Sequence, residues 1–455
     1  MDVIMKTSKT GLASLLLLLW IQPGSAQSIA FKQYTLKNGL RVILSEDHSA
    51  PTYSVAVTYN AGSRDEPKGK TGFAHLFEHM MFQGSENVGK GEHMIVVENN
   101  GGEANGNTTG DRTAYFETLP SNQLDLGLFI EADRMRSLVI NQSNLDNQRK
   151  TVQEERRERY DNQPYGKTFE AVIDTAFDNF AYKHSTIGSM EDLDKASLKD
   201  VADFFRTYYA PNNAVLTMVG DFKSEEALAK IEKYFEPIPR QTAPPVPNMI
   251  EPKQSAERRK TIEDPLADAD ELDIVFKIPQ GNTADWYALS VAGLILSQGT
   301  SSRLYLELVK DKRIVQEVSA SAEEKRGPSL FWISATLNPD KDPKEVEKMI
   351  YADLDRLKNQ PVTDLELEKV RMLVRRSGVE QLQSTQGRAT NLGESMVFYN
   401  DPNLVNTWPD KYLAVTKAKI QEVAKKYFVS SNRTVVTTIP KKEPAPAGNA
   451  GRGGK

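Results

Sequence analysis

His75-Leu76-Phe77-Glu78-His79 sets two imidazoles four residues apart, with a carboxylate beside the second. On an α-helix, residues i and i+4 share one face, so both rings can reach a single Zn²⁺. Glu78 then lies next to the metal, where it can take a proton from bound water. Two neutral ligands, a carboxylate base and an open coordination position are what a zinc hydrolase needs. The competing reading is a buried helix with two hydrogen-bonded His and a capping Glu. Composition weighs against it, because only five His occur in 455 residues and chance H-x-x-E-H matches are expected on the order of a few per thousand such chains. There is no Cys, which removes thiolate sites, disulfides and cysteine nucleophiles and leaves His, Asp and Glu as metal ligands.

A zinc site needs a third ligand, and His48, His93 and His184 have no partner spacing. The candidate lies in the charged segment Leu145–Glu158, which by itself reads as a solvated, salt-bridged helix face. Helical phase separates its carboxylates: Leu145, Val152 and Glu155 share an inward stripe, whereas Glu154 is turned away. Glu155 is the inward carboxylate. A second segment, Gly101-Gly102-Glu103-Ala104-Asn105-Gly106-Asn107-Thr108, reads in isolation as a Gly/Asn-rich surface turn.

The elements that must position these residues follow an α+β pattern. Strands are predicted at Ile29–Leu36, Leu40–Ser45 and Tyr53–Asn60, with a turn at Lys37-Asn38-Gly39, as an opening β-meander. Helices are predicted at Phe73–Gln83, Glu92–Asn99, Gln123–Val139, Ser143–Tyr160, Thr168–Phe177, Leu198–Tyr208 and Ser224–Tyr234, with strands at Arg112–Leu119 and Ala214–Val219. A Pro-rich, polar stretch with Pro237, Pro239, Pro244, Pro245, Pro247 and Pro252 marks a linker. Beyond it the order repeats: strands at Leu272–Ile278, Val315–Ala322 and Phe331–Leu337, and helices at Trp286–Leu296, Arg303–Lys310, Pro343–Leu357, Leu365–Val397 and Asp410–Tyr427. The repeat reaches single residues, since Phe204, Tyr208, Tyr209, Asn213 and Val215 fall opposite Val423, Tyr427, Phe428, Asn432 and Thr434 at an offset of 219. The expected organisation is a signal peptide at 1–26, a zinc-binding domain at 27–236, a linker at 237–262, a homologous domain at 263–439 and a disordered tail at 440–455.

The 39% apolar and 26% charged fractions are those of a globular chain, and the net charge of -5 offers no broad cationic surface, so nucleic-acid binding is not expected. Lys6 and Lys9, the apolar run Leu12–Trp20 and the small residues Gly24 and Ala26 read as a secretory signal cleaved after Ala26. A membrane anchor is the other reading, against which the run is shorter than the roughly 20 residues that span a bilayer. The mature chain would then be exported, periplasmic or secreted, with no membrane span.

The H-x-x-E-H stretch, with a Glu 76 residues beyond His79, resembles the pitrilysin and insulysin zinc metallopeptidases, particularly their mitochondrial-processing-peptidase-like branch. The resemblance covers nearly all of the mature chain. It implies two homologous α/β-roll domains, each an antiparallel-rich sheet packed with helices, that form one half of a clamshell chamber. It implies that His75, His79 and Glu155 hold one Zn²⁺, that Glu78 is the general base, and that peptides are the substrate. The 101–108 segment resembles the family's edge strand, on which Asn105 would hydrogen-bond substrate backbone. Three departures stand out. Gln148 replaces a second Glu, Gly106 replaces an Ala, and Val309 and Gln316 stand where relatives carry a substrate-gripping Arg and Tyr. In the second half, Ser290, Gly293 and Leu294 occupy the places of His75, Glu78 and His79 and cannot bind zinc. A full chamber needs four such domains, so a partner is implied: a sister subunit that supplies the grip, giving a heterodimer, or a second copy, giving a homodimer. A non-catalytic peptide-binding or scaffold subunit is the rival reading.

Overall fold

The computed structural model describes residues 28–441; the expected signal peptide and all but the first two residues of the expected tail lie outside them. Two mixed sheets form the frame. The first contains β1 (Lys32–Thr35), β2 (Arg41–Glu46), β3 (Thr52–Tyr59), β4 (Glu103–Thr108), β5 (Thr113–Pro120) and β6 (Ala214–Gly220). Its order is β1-β2-β6-β3-β5-β4, with only β2 and β6 parallel. The second contains β7 (Arg258–Asp264), β8 (Glu271–Ile278), β9 (Val315–Ala322), β10 (Ser329–Leu337) and β11 (Arg433–Pro440), ordered β7-β11-β8-β10-β9 with β7 and β11 parallel. The sheets superimpose in order, β2-β6-β3-β5-β4 on β7-β11-β8-β10-β9, and β1 has no counterpart.

The opening strands are a correction. β1 and β2 form the expected hairpin, turned by Gly39 at φ 93°. β2 and β3 do not pair, because β6 lies between them. The physical reason is burial: every residue of Ala214–Gly220 is buried, and so apolar a strand belongs at the sheet's centre. The expected linker is also shortened, since residues 258–262 belong to β7. The final strand runs through Pro440, and Lys441 N donates to Asp264 O at 2.9 Å. The duplication predicted from the offset is present as matched bonds. Asn213 Nδ2 donates to the carbonyls of Tyr208 and Asn60, and Asn432 Nδ2 to those of Tyr427 and Lys277.

One face of each sheet carries helices of its own half. The opposite face is covered by a helix lent by the other half. Thr168–Ala176 packs Ala171, Val172 and Ala176 onto Val275, Leu330 and Val436 of the second sheet. Thr385–Tyr399 packs Ala389 and Leu392 onto Ala56, Val215 and Val219 of the first. Gly393 permits that approach, because a Cβ there would stand 2.8 Å from Thr58 Oγ1. The predicted helix Leu365–Val397 is therefore two helices, Asp364–Gln381 and Thr385–Tyr399, the second opened by Ser384, whose side chain accepts from Gly387 N.

Candidate metal centre

The motif helix is short, Phe73–Met80, and buries Phe73, Ala74, Leu76, Phe77 and Met80. Its start is built from elsewhere. Gly72 takes the left-handed conformation at φ 87°, and a Cβ would stand 2.6 Å from Ile187 O. Glu66 accepts from Gly72 N at 2.9 Å and from Ala74 N at 2.7 Å, placing a carboxylate at the positive end of the helix. His184 Nε2 lies 3.0 Å from Glu66 Oε2, and its Nδ1 lies 3.0 Å from Phe180 O. Burial alone would lower the His184 pKa, but the bond and charge of Glu66 outweigh it and raise it. Glu66 and His184 thus hold the motif helix, a role that sequence spacing does not show because the pair lies 118 residues apart.

Glu155 arrives on the helix Gln142–Arg156, capped by Asn141 and fastened at its far end by Arg156, which pairs with Glu170 at 2.7 Å. Leu145 and Val152 are its fully buried anchors. The three sequence-predicted ligands come together: Glu155 Oε2 lies 3.5 Å from His75 Nε2 and 3.2 Å from His79 Nε2. Donors held about 2.1 Å from one tetrahedral centre stand about 3.4 Å apart, so the spacing suits Zn²⁺. Protonation suits it too. Burial, then the charge of His79, pushes His75 down to about 4, leaving a neutral ring at neutral pH, and the buried His75 Nδ1 has no partner. The hydrogen bond to His79 holds Glu155 below the usual carboxylate range. Arg159 pairs with the other oxygen of Glu155 at 2.8 Å, fixing the carboxylate. Glu154 is 58% exposed and pairs with Arg157 instead.

Glu78 accepts from Thr108 Oγ1 at 2.6 Å. Burial raises its pKa, and the Thr108 bond opposes the shift. Thr108 lies on β4, whose only sheet neighbour among the described residues is β5, so the outer edge of β4 is free. Gly106 and Thr108 face the motif helix, and a Cβ on Gly106 would stand 3.3 Å from Glu78 Cγ. Asn105 is exposed, and its Oδ1 accepts from Gly106 N at 2.8 Å. Gln148 is buried and donates to Asn147, Val309 is half-buried against the second core, and Gln316 donates to Leu337 O.

A second cluster, missed from sequence, lies behind β5. His93 Nε2 is 3.2 Å from Glu117 Oε2 and 4.0 Å from Glu131 Oε1, all buried, and Arg134 pairs with Glu131. Desolvation pushes Glu117 up to about 8 and His93 down to about 3. Arg134 neutralises Glu131, and burial favours the protonated form of Glu117.

In the second half the corresponding place is a cavity of about 600 Å³ lined by Trp286, Tyr287, Leu294, Ser377, Trp408 and Tyr412. Leu367 and Val374 are buried as Leu145 and Val152 are, which puts Ser377 where Glu155 stands. Gly293 leaves no room for a carboxylate, since its Cβ would stand 2.9 Å from Ala320 O.

Two family models match the chain in succession: "Insulinase (Peptidase family M16)" over residues 41–190 and "Peptidase M16 inactive domain" over residues 195–374. The chain belongs to the M16, or insulinase, family of peptidases. It is 32% identical over 435 residues to the zinc protease PqqE of Helicobacter pylori, covering 94% of this chain and 98% of that one. It is 24% identical over 422 residues to a probable mitochondrial-processing peptidase subunit beta of Arabidopsis thaliana, covering 89% and 78%. The crystal structure of a protease from Helicobacter pylori superimposes with a TM-score of 0.87 at 31% identity, covering 91% of this chain and all of that one.

Proposed function

We propose that the chain is an exported zinc-dependent endopeptidase and the catalytic partner of a dimer, acting on peptides or unfolded segments in an enclosed chamber. The observation that carries the reading is the convergence of His75 and His79 on Glu155, each within 3.5 Å of its carboxylate, with Glu78 alongside. Bound there, Zn²⁺ supplies a Lewis acid that acidifies water and polarises the scissile carbonyl. Glu78, aimed by Thr108, takes the proton of the attacking water and passes it to the leaving amine. The free edge of β4 accepts the substrate as a further extended strand, with Asn105 turning to its backbone.

Pairing is supported by the fold, which offers two domains where a closed chamber takes four, and by a relative that is itself named a subunit. Val309 and Gln316 favour a sister chain that provides the missing grip. Export rests on residues 1–26; no described helix is long and apolar enough to cross a membrane.

The test is cleavage of a quenched peptide library by the purified mature chain, with and without chelator, beside Glu78→Gln. Chelator-sensitive cleavage is expected, with Glu78→Gln keeping zinc and losing at least about a thousandfold in kcat. Full activity of this chain alone would overturn the heterodimer in favour of a homodimer. Silence even with a copurified sister would leave the scaffold reading standing.

A further inference from the structure

We propose that Glu394, carried by the second half, is a positioning residue for the site in the first, acting through Arg112 and Thr108 on Glu78. The inference rests on the reading of Glu78 as the base. Glu394 lies on the helix Thr385–Tyr399 that crosses to the first sheet, and its Oε2 stands 3.4 Å from Arg112 Nη2. Arg112 is only 7% exposed, and this is its one ion pair among the described residues. Its Nη1 donates to the backbone oxygen of Asn107 at 3.1 Å and to the Asn107 side chain. Asn107 immediately precedes Thr108, whose hydroxyl donates to Glu78.

A second tie runs in parallel. Arg326 N, in the turn between β9 and β10, donates to Asp111 Oδ2 at 3.0 Å, and Arg64 and Tyr182 donate to Asp111 Oδ1. Both residues that lead from the β4–β5 turn into β5, Asp111 and Arg112, are therefore held from the second half. β4 needs such holding. It has one strand neighbour among the described residues, it contains Gly106, and it carries the donor that aims a base whose geometry must hold within about 0.5 Å. Glu394 is a third exposed, so its loss removes the charge that orients the Arg112 guanidinium more than it removes stability, and the grip on Asn107 loosens.

The experiment compares full chains carrying Glu394→Gln, Thr108→Val or both, reading kcat and KM, zinc content and thermal unfolding. Each single change is expected to lower kcat about tenfold with zinc and Tm held. Glu394→Asp and Thr108→Ser should recover most of it. The double variant should lose no more than the worse single, because both changes interrupt one path. Hydrogen exchange of residues 103–113 reads the path without turnover, and Glu394→Gln should speed it several-fold. Unchanged exchange there, wild-type kcat in Glu394→Gln, or a multiplicative loss of about a hundredfold in the double variant would overturn the proposal. Turnover retained by Glu78→Gln would instead overturn the base reading, whereas an inert Glu78→Gln beside an unaffected Glu394→Gln overturns the path alone.

Discussion

Glu154 and Glu155 are neighbours in the chain and opposites in the fold. One helical step of about 100° turns the first into solvent and the second onto two imidazoles. Glu155→Gln keeps the shape and removes the charge, so zinc per chain should fall by at least about tenfold in affinity, as metal analysis after dialysis would show. Glu154→Gln should bind as wild type does. The phase of Leu145 and Val152 made this distinction legible in the sequence. The His93–Glu117–Glu131 cluster was not legible, because its members lie on three separate elements and their spacing carries no period. Glu117 has a folded-state pKa of about 8, above the free value of about 4.3. As pH rises the unfolded chain loses this proton first, so Glu117 costs stability from about pH 5 upward, with the full cost in place above about pH 8. Glu117→Gln should therefore gain on wild type in denaturant unfolding as the pH goes from about 5 to 8. A gap independent of pH would show that Glu117 is charged in the fold.

At the scale of elements, periodicity located nearly every helix and misjudged how they end and pair. Residues Leu365 to Val397 carry apolar residues at helical spacing with no Pro across the junction, so the pattern runs straight through. What breaks it is the cap at Ser384 and the pull of the first sheet on Ala389 and Leu392. The meander failed for a similar reason: β6 is distant in sequence but the most apolar strand available, and centre positions go to such strands. The crossing helix depends on one small residue. Gly393→Ala should cost about 1–3 kcal/mol by overpacking against Thr58 and Thr217, measured by denaturant unfolding. If instead stability rises, the helix has slack that the close approach does not suggest.

Across the whole molecule the two halves are a duplication that has become interlocked. Each sheet has a face that a helix of the other half covers, through Val172 on Val275 in one direction and Leu392 on Val215 in the other. Each half has a large core of its own but leaves one sheet face for the other half's helix, so calorimetry should show one cooperative transition, and halves expressed separately should be less stable than the whole chain. Two resolved transitions would mean that the crossing helices contribute little. The second half's copy shows why the candidate ligands lie in the first half alone. Gly293 and Ser377 make the second site incapable of holding metal, and its place is a cavity walled by aromatic rings.

The sequence by itself marked the candidate ligands, the candidate base, the repeat and the α+β class, because each is written in local spacing: a helical turn, a stripe phase, a constant offset. Only the tertiary structure decided what holds those residues still. Glu66 and His184 at the head of the motif helix, Thr108 on the base, and Arg112 between Glu394 and Asn107 join positions that are far apart in sequence. Such contacts depend on which surfaces must be buried together, a property of the whole chain that no short window of residues contains.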